Sequence, residues 1–206
     1  MSNNPMLGTL LIVSGPSGSG KTTLCRRAES AGLTSYSISC TTRAPRPGEQ
    51  HGVDYYFLTP EEFAAKVAAG EFLEHASVHG NSYGTLRSEV VRLLEAGQNV
   101  VMDIDVQGAA SIRSCPHPTI RRAYADVYIH VPPAELEARL RGRQTDSEDT
   151  ILLRLRNAAM EDARRSEYQY LLTSADREHD YARFSALLTA LSLRSSLSAS
   201  ADALQG

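Results

Sequence analysis

Lysine is nearly missing from this 206-residue chain: Lys21 and Lys66 are the two it has, and every other basic side chain is arginine. Acidic residues outnumber basic ones, 24 to 21, for a formal net charge of −3. That balance lacks the broad basic face that a general nucleic-acid or membrane-surface binder needs. Arginine's planar fork suits bidentate phosphate contacts, although a genome-wide bias gives the same substitution of arginine for lysine. Cysteine is scarce too. Cys25, Cys40 and Cys115 form an odd set with no CxxC spacing, which argues against a disulfide frame or a zinc site and for reduced thiols in a cytoplasmic protein. The six histidines have no ligand spacing, and His75 and His79 read as strand surface or turn. The opening MSNNPMLGTLLIVSG has no basic segment ahead of its apolar run, and the run is too short for a signal peptide or a membrane span. It reads as a buried strand. No repeat is visible, and the length suits one α/β domain with small insertions.

What is present alternates. TLLIVSG (9–15) reads as a central parallel strand, followed by a helix over 21–31 closed by Gly32. YSIS (36–39) reads as a second strand. TPEE (59–62) places Thr59 at an N-cap with Pro60 and Glu62 behind it, which predicts a helix to about Gly70. EFLEHASV (71–78) is strand-like, with Phe72, Glu74, Ala76 and Val78 on one face, and a turn follows at 80–81. Thr85 is expected to cap a helix to Ala96. NVVMDID (99–105), DVYIHV (126–131) and YQYLLT (168–173) read as further strands. The segments from PPAELEARL and DSEDTILLRLRNAAMEDARR read as helices split by the polar GRQT (142–145). A C-terminal helix precedes RSSLSASADALQG (194–206), which is expected to be disordered. Such alternation predicts a mostly parallel sheet covered on both faces.

GPSGSGKT (15–22) fits GxxxxGK[ST] between a buried strand and a helix, as a phosphate-binding loop must. Gly15, Gly18 and Gly20 let successive N–H groups of Gly15, Pro16-flanked Ser17, Ser19 and their neighbours face one phosphate cluster at a helix start. Lys21 is expected to reach the β and γ phosphates and Thr22 to ligate Mg²⁺. In MDID (102–105), two carboxylates at a strand end mean little alone. Beside a phosphate loop, at least one of Asp103 and Asp105 is expected to serve the metal, Asp103 partly through water. The stretch SISCTTRAPRPGEQHGVDYYF (37–57) has almost no apolar periodicity, and it carries Arg43 and Arg46 on a loop stiffened by Pro45 and Pro47.

In this order and spacing, SISCTTRAPRPGE, GVDYYF, GEFLEHA, GNSYGT and MDIDVQG after GPSGSGKT resemble guanylate kinase over about residues 8–190. The resemblance implies the P-loop nucleoside-monophosphate-kinase fold: α/β, with a five-stranded parallel core sheet flanked by helices. It implies a core of 8–40, 91–133 and 158–190, a GMP-binding insertion at 41–90 and a lid at 134–157. By that likeness Arg43, Arg46, Tyr55 and Tyr83 hold the GMP phosphate, and Ser39, Glu74, Thr85 and Asp105 face the base. Arg139, Arg143 and Arg154 close on ATP and the transferring group, with Lys21 and Arg43 also catalytic. The implied reaction moves the γ-phosphoryl group of ATP to GMP or dGMP with Mg²⁺, in a monomer or homodimer without nucleic-acid or membrane partners. Guanine offers two adjacent donors, N1–H and the 2-amino group, that one carboxylate can accept together; adenine offers neither and would leave Glu74 unpaired. No general base is needed, because a phosphate acceptor with a second pKa of about 6 is mostly deprotonated at neutral pH.

The chain departs from the family's usual pattern in three places: Cys40, which reads as a buried thiol, stands where serine is frequent, Gln144 stands where glycine usually follows the second lid arginine, and Ser174 in TSAD stands where an Asn-Asp pair follows the last strand. The Ser174 region borders the adenine pocket in the family. Two other readings compete. A non-catalytic phosphopeptide-binding module would have no use for GPSGSGKT and the lid arginines, and a kinase for a phosphorylated sugar would have none for Ser39 and Glu74.

Overall fold

Leu10 to Ser14 is buried at every position because helices cover both faces of the sheet it runs through. The computed structural model describes residues 6–78, 80–142 and 147–198. The chain runs β1 (Leu10–Ser14), α1 (Lys21–Ser30), β2 (Ser35–Tyr36), β3 (Cys40–Thr41), β4 (Tyr56–Phe57), α2 (Pro60–Ala68), β5 (Phe72–Val78), β6 (Asn81–Leu86) and α3 (Arg87–Glu95). It continues through β7 (Val100–Asp103), α4 (Val106–Arg113), α5 (Pro118–Ala123), β8 (Tyr124–His130), α6 (Pro133–Gly142), α7 (Glu148–Asp162), β9 (Tyr170–Thr173) and α8 (Arg177–Ser192).

Five strands form a parallel sheet in the order β2-β7-β1-β8-β9. Alternate residues of each strand enter opposite cores. Leu11, Val13 and Val101 pack with Leu24 and Ala28 of α1 and with Phe184 and Leu188 of α8. Leu10, Ile12 and Met102 pack instead with Val90 and Leu94 of α3, Ile112 of α4 and Ile120 of α5. The covered parallel sheet is the predicted architecture. A second sheet, β4-β3-β6-β5, is built from the chain between Cys40 and Leu86, and α6 and α7 share a small apolar cluster of their own around Val131, Leu136, Leu140 and Ile151.

Local expectations fare unevenly. Thr59 makes the predicted capping box with Glu62. Thr85 caps nothing: β6 runs on to Leu86, and α3 starts at Arg87 without a side-chain cap. The hydroxyl is used by Glu74 instead. β7 ends at Asp103, and Asp105 belongs to the next element as the N-cap of α4, a helix the pattern did not reveal. β2 stops at Tyr36, after which the chain crosses to the second sheet at Cys40. Phe72 and Glu74 do not share a face, because a register shift lies between them. Phe72 instead meets His75, their rings 6.0 Å apart, over Gly84. Within the expected tail, 194–198 is ordered: a 3₁₀ turn at Ser195–Leu197 buries Leu197, whose carbonyl accepts from the Leu7 N–H.

Candidate active site

The loop after β1 is shaped by close approach. Gly15 has φ 145°, and a Cβ there would lie 2.5 Å from the Ile129 carbonyl oxygen of β8, so no larger residue fits. Gly20 sits at the N-cap of α1 with φ 88°, and α1 has neither a side-chain cap nor an acidic residue in its first turn. Its first N–H groups and the positive end of its dipole therefore suit an anion. Lys21 arches over this loop, its ammonium donating to the carbonyl oxygens of Gly15 and Pro16. Ser17 Oγ accepts from Arg154 Nη1 of α7 at 3.2 Å. Leu136 and Leu140 of α6 press on Gly18, and Ser19 is buried beside it. Thr22 Oγ1 donates to Asp103 Oδ2 at 2.5 Å. That contact joins the loop to the end of β7, and the hydroxyl and carboxylate are hard oxygen donors of the kind Mg²⁺ takes.

Beyond Asp103 lies a cavity of about 450 Å³ that it lines together with Arg26, Tyr36, Ser39, Glu49 and Tyr55. Glu74 stands at the base of the second sheet, where Thr85 Oγ1 donates to its Oε1 at 3.0 Å. Ser39 Oγ lies 3.3 Å from the same Thr85 oxygen. Burial raises the Glu74 pKa and nearby Asp105 raises it further, while the Thr85 hydrogen bond opposes them. Asp105 spends Oδ1 on the N–H groups of Gln107 and Gly108. The four base-facing candidates, Ser39, Glu74, Thr85 and Asp105, are thus neighbours. So are the phosphate-facing candidates Arg43, Tyr55 and Tyr83: the Tyr55 ring lies 5.6 Å from the Arg43 guanidinium carbon and 6.2 Å from the Tyr83 ring. Arg46 is exposed on the same loop and offers its backbone N–H to Glu49.

On the other side of the loop a larger cavity, about 770 Å³, is lined by Gly18, Gly20, Arg139, Ala175 and Asp176 among others. Arg139 reaches it from α6. Arg143 and Gln144 lie outside the described residues. Cys40 is fully buried, and burial pushes its thiol up to about 11, so at neutral pH it is a packing residue.

Three acidic groups escaped the sequence reading. Glu49 Oε1 pairs with Arg43 at 2.9 Å while Oε2 accepts the Arg46 N–H at 2.7 Å, and the Arg43 hydrogen bond is the main cause lowering its pKa. Its place at the end of RAPRPGE (43–49) was the available signal. Glu161 of α7 is half-buried with Lys21 and Asp105 among its electrostatic neighbours; burial raises its pKa and Lys21 opposes the rise. Asp180, on the first turn of α8, is buried and had no sequence signal, since a helix start is an ordinary place for an aspartate.

The family profile described as guanylate kinase matches residues 7–191. A guanylate kinase from Fusobacterium nucleatum subsp. nucleatum is 45% identical over 172 residues, 84% of this chain and 91% of that protein. One from Syntrophotalea carbinolica is 44% identical over 194 residues, covering 92% and 89%. The crystal structure of guanylate kinase from Anaplasma phagocytophilum superposes with a TM-score of 0.69 at 30% identity, over 93% of this chain and 90% of that one. With profile, relatives and architecture in agreement across nearly its whole length, the chain belongs to the guanylate kinase family.

Proposed function

We propose that this protein transfers the γ-phosphoryl group of ATP to GMP, and to dGMP, giving ADP and GDP. The observation that carries the reading is the contact between Thr22 of the phosphate loop and Asp103, which sets the loop directly beside the cavity holding Ser39 and Tyr55. An acceptor phosphate bound there by Arg43, Arg46, Tyr55 and Tyr83 would face a donor triphosphate on the N-terminus of α1. Thr22 and Asp103 would hold Mg²⁺, which when bound would neutralise charge on the donor phosphates.

The chain's own groups do the rest. Lys21 moves from the loop carbonyls to donor phosphate oxygens, a single ammonium with three donors to redistribute. Glu74 accepts N1–H and the 2-amino group of guanine, and Asp105 stands beside it with Oδ2 uncommitted to the cap. Arg139, Arg143 and Arg154 close from the lid at 134–157, excluding water and stabilising the charge of the transferring group. Two polyanions repel each other, so these arginines raise the local positive charge while the molecule as a whole stays mildly negative.

A coupled assay with ATP, Mg²⁺ and a panel of GMP, dGMP, AMP, UMP and CMP tests this reading. High turnover restricted to GMP and dGMP, abolished by chelating the metal, is expected. Comparable turnover with AMP would remove the guanine assignment.

A further inference from the structure

The turn after β9 holds a hydrogen-bond chain that the reaction as described does not use. Arg139 Nη2 donates to Ser174 Oγ at 2.9 Å, and Ser174 Oγ donates to Asp180 Oδ2 at 2.5 Å. The other carboxylate oxygen accepts the Ala175 N–H at 2.8 Å. Ser174 and Asp180 are 3% and 6% exposed, so neither oxygen set relies on solvent. The directions are forced: a guanidinium can only donate and a carboxylate can only accept, so the hydroxyl proton must point at Asp180. Ser174 is itself fixed, its N–H bound to the His130 carbonyl oxygen at 2.8 Å.

Arg139 forms its ion pair with Glu135, one turn back on α6, at 2.5 Å. All its described hydrogen bonds leave from Nη2. Nε and Nη1 are uncommitted among the described residues, on a side chain that lines the 770 Å³ cavity beside the phosphate loop. One nitrogen is anchored and the rest of the fork is offered.

We propose that Ser174 and Asp180 are positioning residues of the donor site, which fix the Arg139 guanidinium at the wall of the ATP cavity through a hydroxyl that accepts from the arginine and donates to a buried carboxylate. The inference rests on the assignment of Arg139 to ATP. It also accounts for serine at this position of TSAD, because the requirement is for a group that both accepts and donates; serine and asparagine meet it, and alanine does not. Removing the hydroxyl leaves Arg139 with Glu135 and a long 3.4 Å contact to the Ala175 carbonyl oxygen, and leaves Asp180 short of a donor, so the fork loses its orientation.

Steady-state kinetics on Ser174→Ala, Ser174→Asn, Arg139→Ala and the Arg139→Ala/Ser174→Ala double variant test it, with melting temperatures recorded for each. Ser174→Ala is expected to raise KM for ATP by about tenfold and to leave KM for GMP within about twofold, while Ser174→Asn stays within about threefold of the parent on both. The double variant is expected to be no worse than Arg139→Ala, since the two changes remove one interaction. Penalties that multiply, or a parallel rise in both KM values, overturn the relay. Where Ser174→Ala does not fold, Asp180→Asn removes the charge at constant shape, and an unchanged KM for ATP overturns it equally. Arg139→Ala without effect on ATP would overturn the Arg139 assignment itself; a strong Arg139→Ala effect with a silent Ser174→Ala would overturn the relay alone.

Discussion

Glu74 carries two burdens that pull in opposite directions. In the proposed role it must be ionised to accept two guanine donors, yet burial raises its pKa above the ordinary carboxylate value, with Asp105 adding to the rise. The sign follows directly. As pH falls, Glu74 takes up a proton earlier than an exposed glutamate would, and the protonated form has lost an acceptor. Guanosine isolates this effect because it has no titrating phosphate. Its affinity is expected to fall as pH drops toward the raised pKa and to be flat over the same range in Glu74→Gln; parallel curves for the two proteins would place the titration elsewhere. Lys21 makes a different prediction. In the proposed role its ammonium acts at donor phosphates, so Lys21→Ala should lower kcat by orders of magnitude while GMP binding measured by calorimetry stays near that of the parent. A variant with parental turnover would sink the donor-site account.

At the scale of elements, Asp105 shows how one side chain serves fold and site together. It caps α4 through two backbone N–H groups and adds negative charge beside Glu74. Asparagine caps about as well as aspartate, whereas alanine costs about 0.5–2 kcal/mol at such a position. Asp105→Asn should therefore keep the melting temperature and weaken GMP binding, and Asp105→Ala should lower both; a drop in melting temperature for Asp105→Asn equal to that for Asp105→Ala would contradict the division. This element also marks the limit of what was legible beforehand. The phosphate loop, β1 and the α2 capping box are written in contiguous residues, so they could be read directly. α4 was hidden because Gly108 sits inside it, where its missing Cβ leaves room for Ile104, and a helical glycine weakens the local signal. The shift in β5 is a property of the pairing with β6, where a Cβ on Gly84 would lie 2.9 Å from Phe72. Two strands decide it, so neither strand's own alternation could reveal that Glu74 and Phe72 part company.

On the scale of the whole molecule, α6 and α7 hold a small core separate from the two that sandwich the main sheet. A body with its own core can move as a unit. Arg139 on Ser174 and Arg154 on Ser17 tie it to the turn after β9 and to the phosphate loop. A bisubstrate analogue carrying both bases is expected to protect 134–157 from hydrogen exchange more than ATP or GMP alone. Equal protection by ATP alone would argue that closure does not wait for the acceptor. The loop between β3 and β4 also shows why Glu49 was missed. Its meaning depends on Arg43 and Arg46 folding back around it, a loop geometry that no periodicity encodes.

In the proposed mechanism one molecule separates base reading, by Glu74, from phosphate capture, by Arg43. Glu74→Gln keeps the volume and sets an NH₂ donor against a guanine donor, a mismatch worth about 1–3 kcal/mol. The direct test is kcat/KM for GMP and for AMP in the parent, Glu74→Gln and Arg43→Ala. Glu74→Gln is expected to lower the GMP-to-AMP ratio by about tenfold or more, while Arg43→Ala depresses both substrates and leaves the ratio nearly unchanged. A Glu74→Gln variant that loses both activities in parallel, or keeps GMP turnover intact, would contradict it.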